Sequence, residues 1–193
     1  MAKTSYYIVN TITGYRAFAA LFMLLLLYNN QPVPFKWLLV ISFLTDAIDG
    51  YLARAYNVTS KFGATLDSIA DDVTVGVAII GMMVFKPGFL LEEVVLAVIL
   101  LILYIFQIVF ALIRYGKISG FHTYLAKISA VFQAIFLLLF FFLPQPVYQL
   151  FYLTAIITIA ELAEELMLIL LLPRWQANVK GLYWVIKKQG FRK

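Results

Sequence analysis

Six apolar runs, each close to the roughly 20 residues that a helix needs to cross a bilayer, dominate this sequence. They leave little of the chain for a water-soluble domain, because 64% of the 193 residues are hydrophobic and 13% are charged. Soluble proteins average about 25% charged residues. The sequence therefore predicts an all-α integral membrane protein with six transmembrane helices, at residues 11–28, 36–54, 63–86, 91–113, 121–143 and 147–172.

The basic residues predict the orientation of these spans. Six spans place both termini on one side, and 13 of the 15 lysines and arginines fall on that side, whereas Lys36 and Lys86 fall on the other. Because positive charge stays on the cytoplasmic side of a membrane, we expect cytoplasmic termini in a multi-pass protein of a bacterial inner membrane. The sequence does not begin with a short apolar segment and a small-residue cleavage site, so we expect no removable signal peptide.

Residues 1–172 are predicted to form one domain, and the basic, aromatic tail 173–193 is predicted to lie along the membrane surface. The formal net charge of +5 is consistent with contact with anionic lipid headgroups. The basic residues flank the spans and form no groove, which argues against nucleic-acid binding. The absence of cysteine excludes disulfides and thiolate metal sites.

Four aspartates interrupt the apolar pattern of the second and third spans. Asp46 and Asp49 are three residues apart, and Asp67 and Asp71 are four apart, so each pair shares one face of a helix. At about 1.5 Å per residue, the two pairs lie at matched depths of roughly 6–12 Å from the loop that joins the two antiparallel helices. We therefore expect the four carboxylates to meet just below the cytoplasmic surface.

So much negative charge in a low-dielectric setting requires compensation, by protonation or by cations. Hard oxygen ligands without cysteine or clustered histidine suit Mg²⁺, Mn²⁺ or Ca²⁺ better than zinc. Magnesium usually takes one or two protein carboxylates, so four aspartates predict two divalent ions, an arrangement suited to cleaving a phosphate ester or anhydride. A divalent-cation transporter is the alternative from another class, although no internal repeat supports it.

Small residues and one arginine accompany the aspartates. Gly50 and Ala53 lie on the helical arc that carries the first aspartate pair, and Gly63 opens the third span, so a bulky ligand could approach the backbone there. Arg54 could pair with phosphate oxygens through its guanidinium. Helix packing in membranes and the charge bias at a cytoplasmic helix end explain the same residues without a ligand.

The spacing Asp46-x2-Asp49-Gly50-x2-Ala53-Arg54-x8-Gly63-x3-Asp67-x3-Asp71 resembles, at all eight specified positions, the signature of the CDP-alcohol phosphotransferases (the CDP-alcohol phosphatidyltransferase family). The segment "NTITGYR", which ends at Arg16, is similar to the family's Asn-x-Leu-Thr-x-x-Arg segment, although Val9 replaces the usual preceding proline. The six-span plan and the chain length also match, so the resemblance covers nearly the whole chain.

The resemblance implies a CDP-linked donor, an alcohol acceptor and release of CMP. It implies that all four aspartates bind two Mg²⁺ or Mn²⁺ ions and that Asp71 is the base for the acceptor hydroxyl. A further set would lie along the CDP moiety, namely Asp49, Gly50, Ala53, Arg54 and Gly63. It also implies a homodimer. We expect CDP-diacylglycerol as the donor, since a two-tailed lipid can enter such a cleft from the membrane.

Five basic residues on the predicted active-site side are candidate acceptor- or phosphate-binding residues: Arg16, Arg114, Lys117, His122 and Lys127. They favour a phosphorylated acceptor resembling glycerol 3-phosphate, although charge bias alone explains several of them. Serine, inositol phosphate and phosphatidylglycerol remain possible acceptors. A CDP-aminoalcohol donor with diacylglycerol as acceptor also remains possible.

No role is assigned to a group of three glutamates in the sixth span or to the aspartate that follows Asp71. Glu161, Glu164 and Glu165 fall near the middle of the sixth span, where carboxylates must be partnered, protonated or in a polar cavity. They could line an acceptor pocket, pair with Lys127 or contact another subunit. Asp72 lies outside the signature and points about 100° away from its neighbour in sequence.

Overall fold

The computed structural model describes residues 15–16, 18–55, 61–117, 121–176 and 179–190, with residues 49–55, 61–68 and 189–190 described by their backbone alone. Within these ranges the chain is helical and contains no strand. The helices are α1 (Phe18–Tyr28), α2 (Pro32–Ala55), α3 (Lys61–Phe85), α4 (Pro87–Glu92), α5 (Val94–Tyr115), α6 (Tyr124–Phe142), α7 (Tyr148–Leu171) and α8 (Leu182–Gly190). The predicted all-α class is confirmed.

Two of the described helices, α5 and α6, are long and apolar enough to cross a membrane by length and composition. Large apolar side chains point outward along α5, from Val95 to Ile113, which are 71% and 78% exposed. Exposure of such an apolar surface to water is unfavourable, whereas the hydrocarbon core of a bilayer would cover it. These two helices support a membrane protein, and the six-span arrangement with cytoplasmic termini stays a prediction.

The break between the third and fourth predicted spans contains an additional short helix. Pro87 begins α4, as is common for proline at the first helical position, where no backbone N–H is needed. The fourth apolar run therefore starts its long helix at Val94, three residues later than predicted. Lys86, in the link before α4, donates from Nζ to the carbonyls of Phe140 and Leu143, both at 2.6 Å.

The helices form two compact units. The first contains α1, α2, α3, most of α4 and the segment Phe140–Pro144. Its core includes an aromatic group in which the ring of Phe35 meets those of Phe85 and Phe141 edge-on, at centroid distances of 5.4 and 5.1 Å. Gly81 lies against this group, and a Cβ there would come within 2.8 Å of the Phe35 ring.

The second unit contains α5, α6 as far as Leu139, α7 and α8. α5 and α7 lie side by side and run in the same direction. Just before the start of α5, Glu92 accepts a hydrogen bond of 2.5 Å from the hydroxyl of Tyr148, the first residue of α7. At the other end, the hydroxyl of Tyr115, the last residue of α5, donates to the carbonyl of Leu172, just after α7, at 2.9 Å. The same direction is expected for the fourth and sixth spans of a chain that crosses a membrane repeatedly.

The tail is packed into this second unit. Val179 is buried in a core cluster with Phe121 and Leu168, and its backbone N–H donates to the carbonyl of Phe121 at 2.9 Å. Helix α8 turns one face to this core and exposes Tyr183 and Trp184. The exposed aromatic side chains are consistent with the predicted surface position, and the boundary at residue 173 stays a prediction.

Candidate functional site

Asp46 on α2 and Asp71 on α3 meet at one guanidinium group. Arg16, in the helical turn before α1, pairs through Nη1 with Asp46 Oδ1 at 2.8 Å and through Nη2 with Asp71 Oδ1. The arginine is 1% exposed, whereas the two carboxylate side chains are 38% and 42% exposed. One side of each carboxylate is thus engaged inside the first unit, and part of each side chain stays accessible.

The length of the two helices accounts for this meeting. Asp46 lies nine residues before the end of α2 and Asp71 ten residues after the start of α3. At about 1.5 Å per residue, both lie roughly 14–15 Å from the link between the helices. Because α2 and α3 contact each other, equal distances from the link bring the two side chains to the same level.

The charge of this group fits a divalent cation. Two carboxylates share one guanidinium, so this ion-pair group carries a formal excess of one negative charge. Carboxylate oxygens are ligands that Mg²⁺ and Mn²⁺ prefer. The Arg16 guanidinium therefore shows that a positive charge at this position is stabilised by carboxylates from both α2 and α3. Among the side chains that the structure describes, no group of three or more acidic or histidine residues is close enough to hold a metal.

Several predicted site residues lie outside the described side chains. The structure describes the backbone of these residues, as part of helices α2 and α3, but not their side-chain contacts. They are Asp49, Gly50, Ala53, Arg54, Gly63 and Asp67. Of the four aspartates in the predicted metal site, the structure therefore describes the side chains of two. Asp72 is exposed.

One buried hydroxyl near this site was missed by the sequence reasoning. Ser42 lies one helical turn before Asp46 on α2 and is 1% exposed. Its Oγ has no hydrogen-bond partner among the described residues. The sequence does contain a signal for this residue, because Ser42 is a polar residue in an apolar run and lies four residues before Asp46, on the same helix face.

The five candidate acceptor-binding residues have different surroundings within their own units. Arg16 contacts the two aspartates, as described above. Arg114 and Lys117 line a cavity of about 330 Å³ in the second unit. Lys127 lines a different cavity of about 280 Å³, and its ammonium lies 5.5 Å from the centroid of the Tyr124 ring. His122 is exposed in a left-handed backbone conformation with φ of 51°.

The three glutamates of α7 have separate partners. Glu165 is buried and accepts a hydrogen bond from Gln107 Nε2 on α5. Glu164 accepts a hydrogen bond of 2.9 Å from the backbone N–H of Leu182, the first residue of α8. Of the open alternatives for this cluster, the structure thus shows partnering within the second unit for these two residues. Glu161 is half-buried.

Comparison with known proteins places these residues within one family. The family model described as CDP-alcohol phosphatidyltransferase matches residues 6–171, which include Arg16, Asp46 and Asp71. A CDP-diacylglycerol–serine O-phosphatidyltransferase of Helicobacter pylori is 40% identical over 73 residues, which are 38% of this chain and 31% of that protein. No solved structure matches the chain.

Two further relatives bear different names at the same level of similarity. A CDP-diacylglycerol–glycerol-3-phosphate 3-phosphatidyltransferase of Rickettsia bellii is 40% identical over 74 residues, 37% of this chain and 41% of that protein. A CDP-diacylglycerol–inositol 3-phosphatidyltransferase of Saccharomyces cerevisiae is 41% identical over 66 residues, 34% of this chain and 30% of that protein. The matched segments thus cover between 30% and 41% of the length of these relatives.

Proposed function

We propose a function from one premise, that this chain belongs to the CDP-alcohol phosphatidyltransferase family. The chain transfers a phosphatidyl group from CDP-diacylglycerol to the hydroxyl of a small polar alcohol and releases CMP. The observation that carries the proposal is the convergence of Asp46 and Asp71 on one buried cation, inside the segment that the family model matches. The family match gives no support to a divalent-cation transporter.

The residues proposed for the reaction are those of the signature. Asp46, Asp49, Asp67 and Asp71 would bind two Mg²⁺ or Mn²⁺ ions, which would neutralise the diphosphate and stabilise the departing CMP. The CDP moiety would lie along α2 and the start of α3, against Asp49, Gly50, Ala53, Arg54 and Gly63. We propose a homodimer in the inner membrane, with the site on the cytoplasmic side.

Asp71 is the proposed base. The oxygen of the acceptor hydroxyl forms a bond to the β-phosphorus, the bond from that phosphorus to the CMP oxygen breaks, and the hydroxyl proton passes to the Asp71 carboxylate. A positioned general base contributes about 10²–10⁴-fold to a rate. The 42% exposure of this side chain leaves it accessible to a substrate, while its pair with Arg16 holds it in place.

The acceptor is proposed to carry a phosphate, as glycerol 3-phosphate does. Arg16, Arg114, Lys117, His122 and Lys127 are the proposed acceptor- or phosphate-binding residues, and their positive charge favours such an acceptor over serine. The names of the relatives include serine, glycerol 3-phosphate and inositol at nearly equal identity, so they do not choose among these alcohols.

The test is release of CMP from CDP-diacylglycerol by the purified chain, with Mg²⁺ or Mn²⁺ and one acceptor at a time, and mass spectrometry of the lipid products. We expect CMP release with glycerol 3-phosphate, and a loss of about 10²–10⁴-fold in Asp71→Asn. Asp72→Asn is the matched control, because it removes the same charge from the next position. Equal loss in the two variants, or activity independent of a divalent ion, would contradict the proposal.

A further inference from the structure

A cationic cavity lies at the C-terminal ends of α5 and α7, in the second unit. Its volume is about 330 Å³, and it is lined by Arg114, Tyr115, Lys117, Pro173, Arg174 and Trp175. The Arg16–aspartate group belongs to the first unit, so this cavity is built from other residues. Three of its members, Pro173, Arg174 and Trp175, come from the tail that was predicted to lie along the membrane surface.

The cavity gathers positive charge without an acidic counterpart. Three of its six lining residues are cationic and none is acidic. Arg114 is held in place, because its Nη2 donates to the carbonyl of Leu170 at 3.1 Å. Lys117 lies over the Trp175 ring, with Nζ 5.3 Å from the centroid. Like charges held close together repel each other, so an anion inside the cavity would be stabilised by all three.

The surroundings of the cavity point to a lipid as the source of the anion. α5 is a candidate membrane span and ends at Tyr115, beside the cavity. Both helices expose apolar side chains in the turn before the cavity, with Ile113 78% exposed on α5 and Leu170 60% exposed on α7. Aromatic and basic residues at the end of a span are typical of the level of the lipid headgroups.

We propose that this cavity binds the phosphodiester headgroup of an anionic phospholipid, with the acyl chains along the exposed faces of α5 and α7. Arg114 and Lys117 then belong to a lipid-phosphate site, and the phosphate of the acceptor is left to Arg16, His122 and Lys127. Phosphate oxygens accept from Lys117 and Arg174, while the guanidinium of Arg114 adds positive charge to the cavity wall. A zwitterionic lipid is disfavoured, because its ammonium group would face three cations and no carboxylate.

The test is native mass spectrometry of the full chain in detergent with EDTA, titrated with dioleoylphosphatidylglycerol or dioleoylphosphatidylcholine. We expect the anionic lipid to bind about tenfold more tightly or better. The double variant Lys117→Gln/Arg174→Gln should lose at least about tenfold in affinity for it, since each basic residue near an anionic surface contributes about 1 kcal/mol. Lys187→Gln/Lys188→Gln on α8 removes the same charge elsewhere and should change the affinity by less than about threefold.

Equal losses in the two double variants would show general attraction to anionic lipid and overturn the site, as would equal binding of the two lipids. Glycerol 3-phosphate and inorganic phosphate, added in millimolar excess, distinguish the source of the anion. Retained lipid supports the proposal, and displacement by either soluble phosphate would overturn the lipid assignment.

Discussion

Arg16 is the residue whose replacement most directly tests the description of the aspartate site. Arg16→Met keeps much of the side-chain volume in its buried position and removes the cation that Asp46 and Asp71 share. Two neighbouring carboxylates then face each other without this counter-ion. We expect the metal-free protein to lose stability and a divalent cation to restore it.

The magnitude follows from burial. Removing one partner of a fully buried ion pair costs about 3–5 kcal/mol, whereas an exposed pair is worth about 0–1 kcal/mol. Here the arginine is buried and the carboxylates are 38% and 42% exposed, so an intermediate loss of about 1–3 kcal/mol is expected. For a chain of this length, 1 kcal/mol corresponds to about 2–4 °C in melting temperature. The variant should therefore melt about 2–12 °C below the parent protein in EDTA.

The assay is thermal unfolding in detergent at one scan rate, in EDTA and in saturating Mn²⁺. Manganese should raise the melting temperature of Arg16→Met by more than that of the parent protein, because it supplies the charge that the variant lacks. Arg114→Met is the control, since it removes a guanidinium from the second unit and its loss should be the same with or without manganese. An Arg16→Met variant that melts with the parent in EDTA, or that manganese does not restore preferentially, would refute the reasoning.

Three further predictions concern stability and can be checked by the same unfolding measurement. Gly181→Ala should cost about 1–3 kcal/mol of unfolding free energy, because φ is +149° and a Cβ would come 2.9 Å from Glu164 Oε1. Gly76→Ala is the control, and it should be neutral or stabilising because the space around its Cβ is open. Equal effects of the two substitutions would contradict the strain assigned to Gly181. Lys86→Met should cost about 1.5–3 kcal/mol, because it removes charged hydrogen bonds to two carbonyls near the end of α6, and an unchanged melting temperature would show that these bonds contribute nothing. Ser42→Ala should be neutral or stabilising by up to about 1 kcal/mol, because its buried hydroxyl has no partner among the described residues, and a clear loss would reveal one.

The helical class and the breaks between helices could be predicted from the sequence. Apolar runs of about 20 residues specify helices in a chain that must satisfy its backbone hydrogen bonds internally. Proline and glycine mark the breaks, as at Pro87 and Gly88. The start of α5 at Val94 was missed by three residues, because the apolar pattern continues through α4. Hydropathy does not distinguish one continuous helix from two joined at a turn.

The site was predictable where it depends on helical periodicity and unpredictable where it depends on packing between distant segments. The matched level of Asp46 and Asp71 follows from their distances to one link. The contact with Arg16 depends on how the start of the chain packs against α2 and α3, which residue spacing does not specify. Arg174 and Trp175 were assigned to the tail for the same reason, since only the turn after α7 brings them beside Arg114.

The packing of the tail has a consequence for the synthesis of the chain. Val179 and Leu182 contribute to the core formed with Phe121 and Leu168, and they are translated after α5, α6 and α7. While Val179 and Leu182 are still inside the ribosome, that core lacks part of its wall and Phe121 lacks its backbone partner. The second unit therefore completes its folding only after these residues have left the ribosome, while the first unit can already have formed in the membrane.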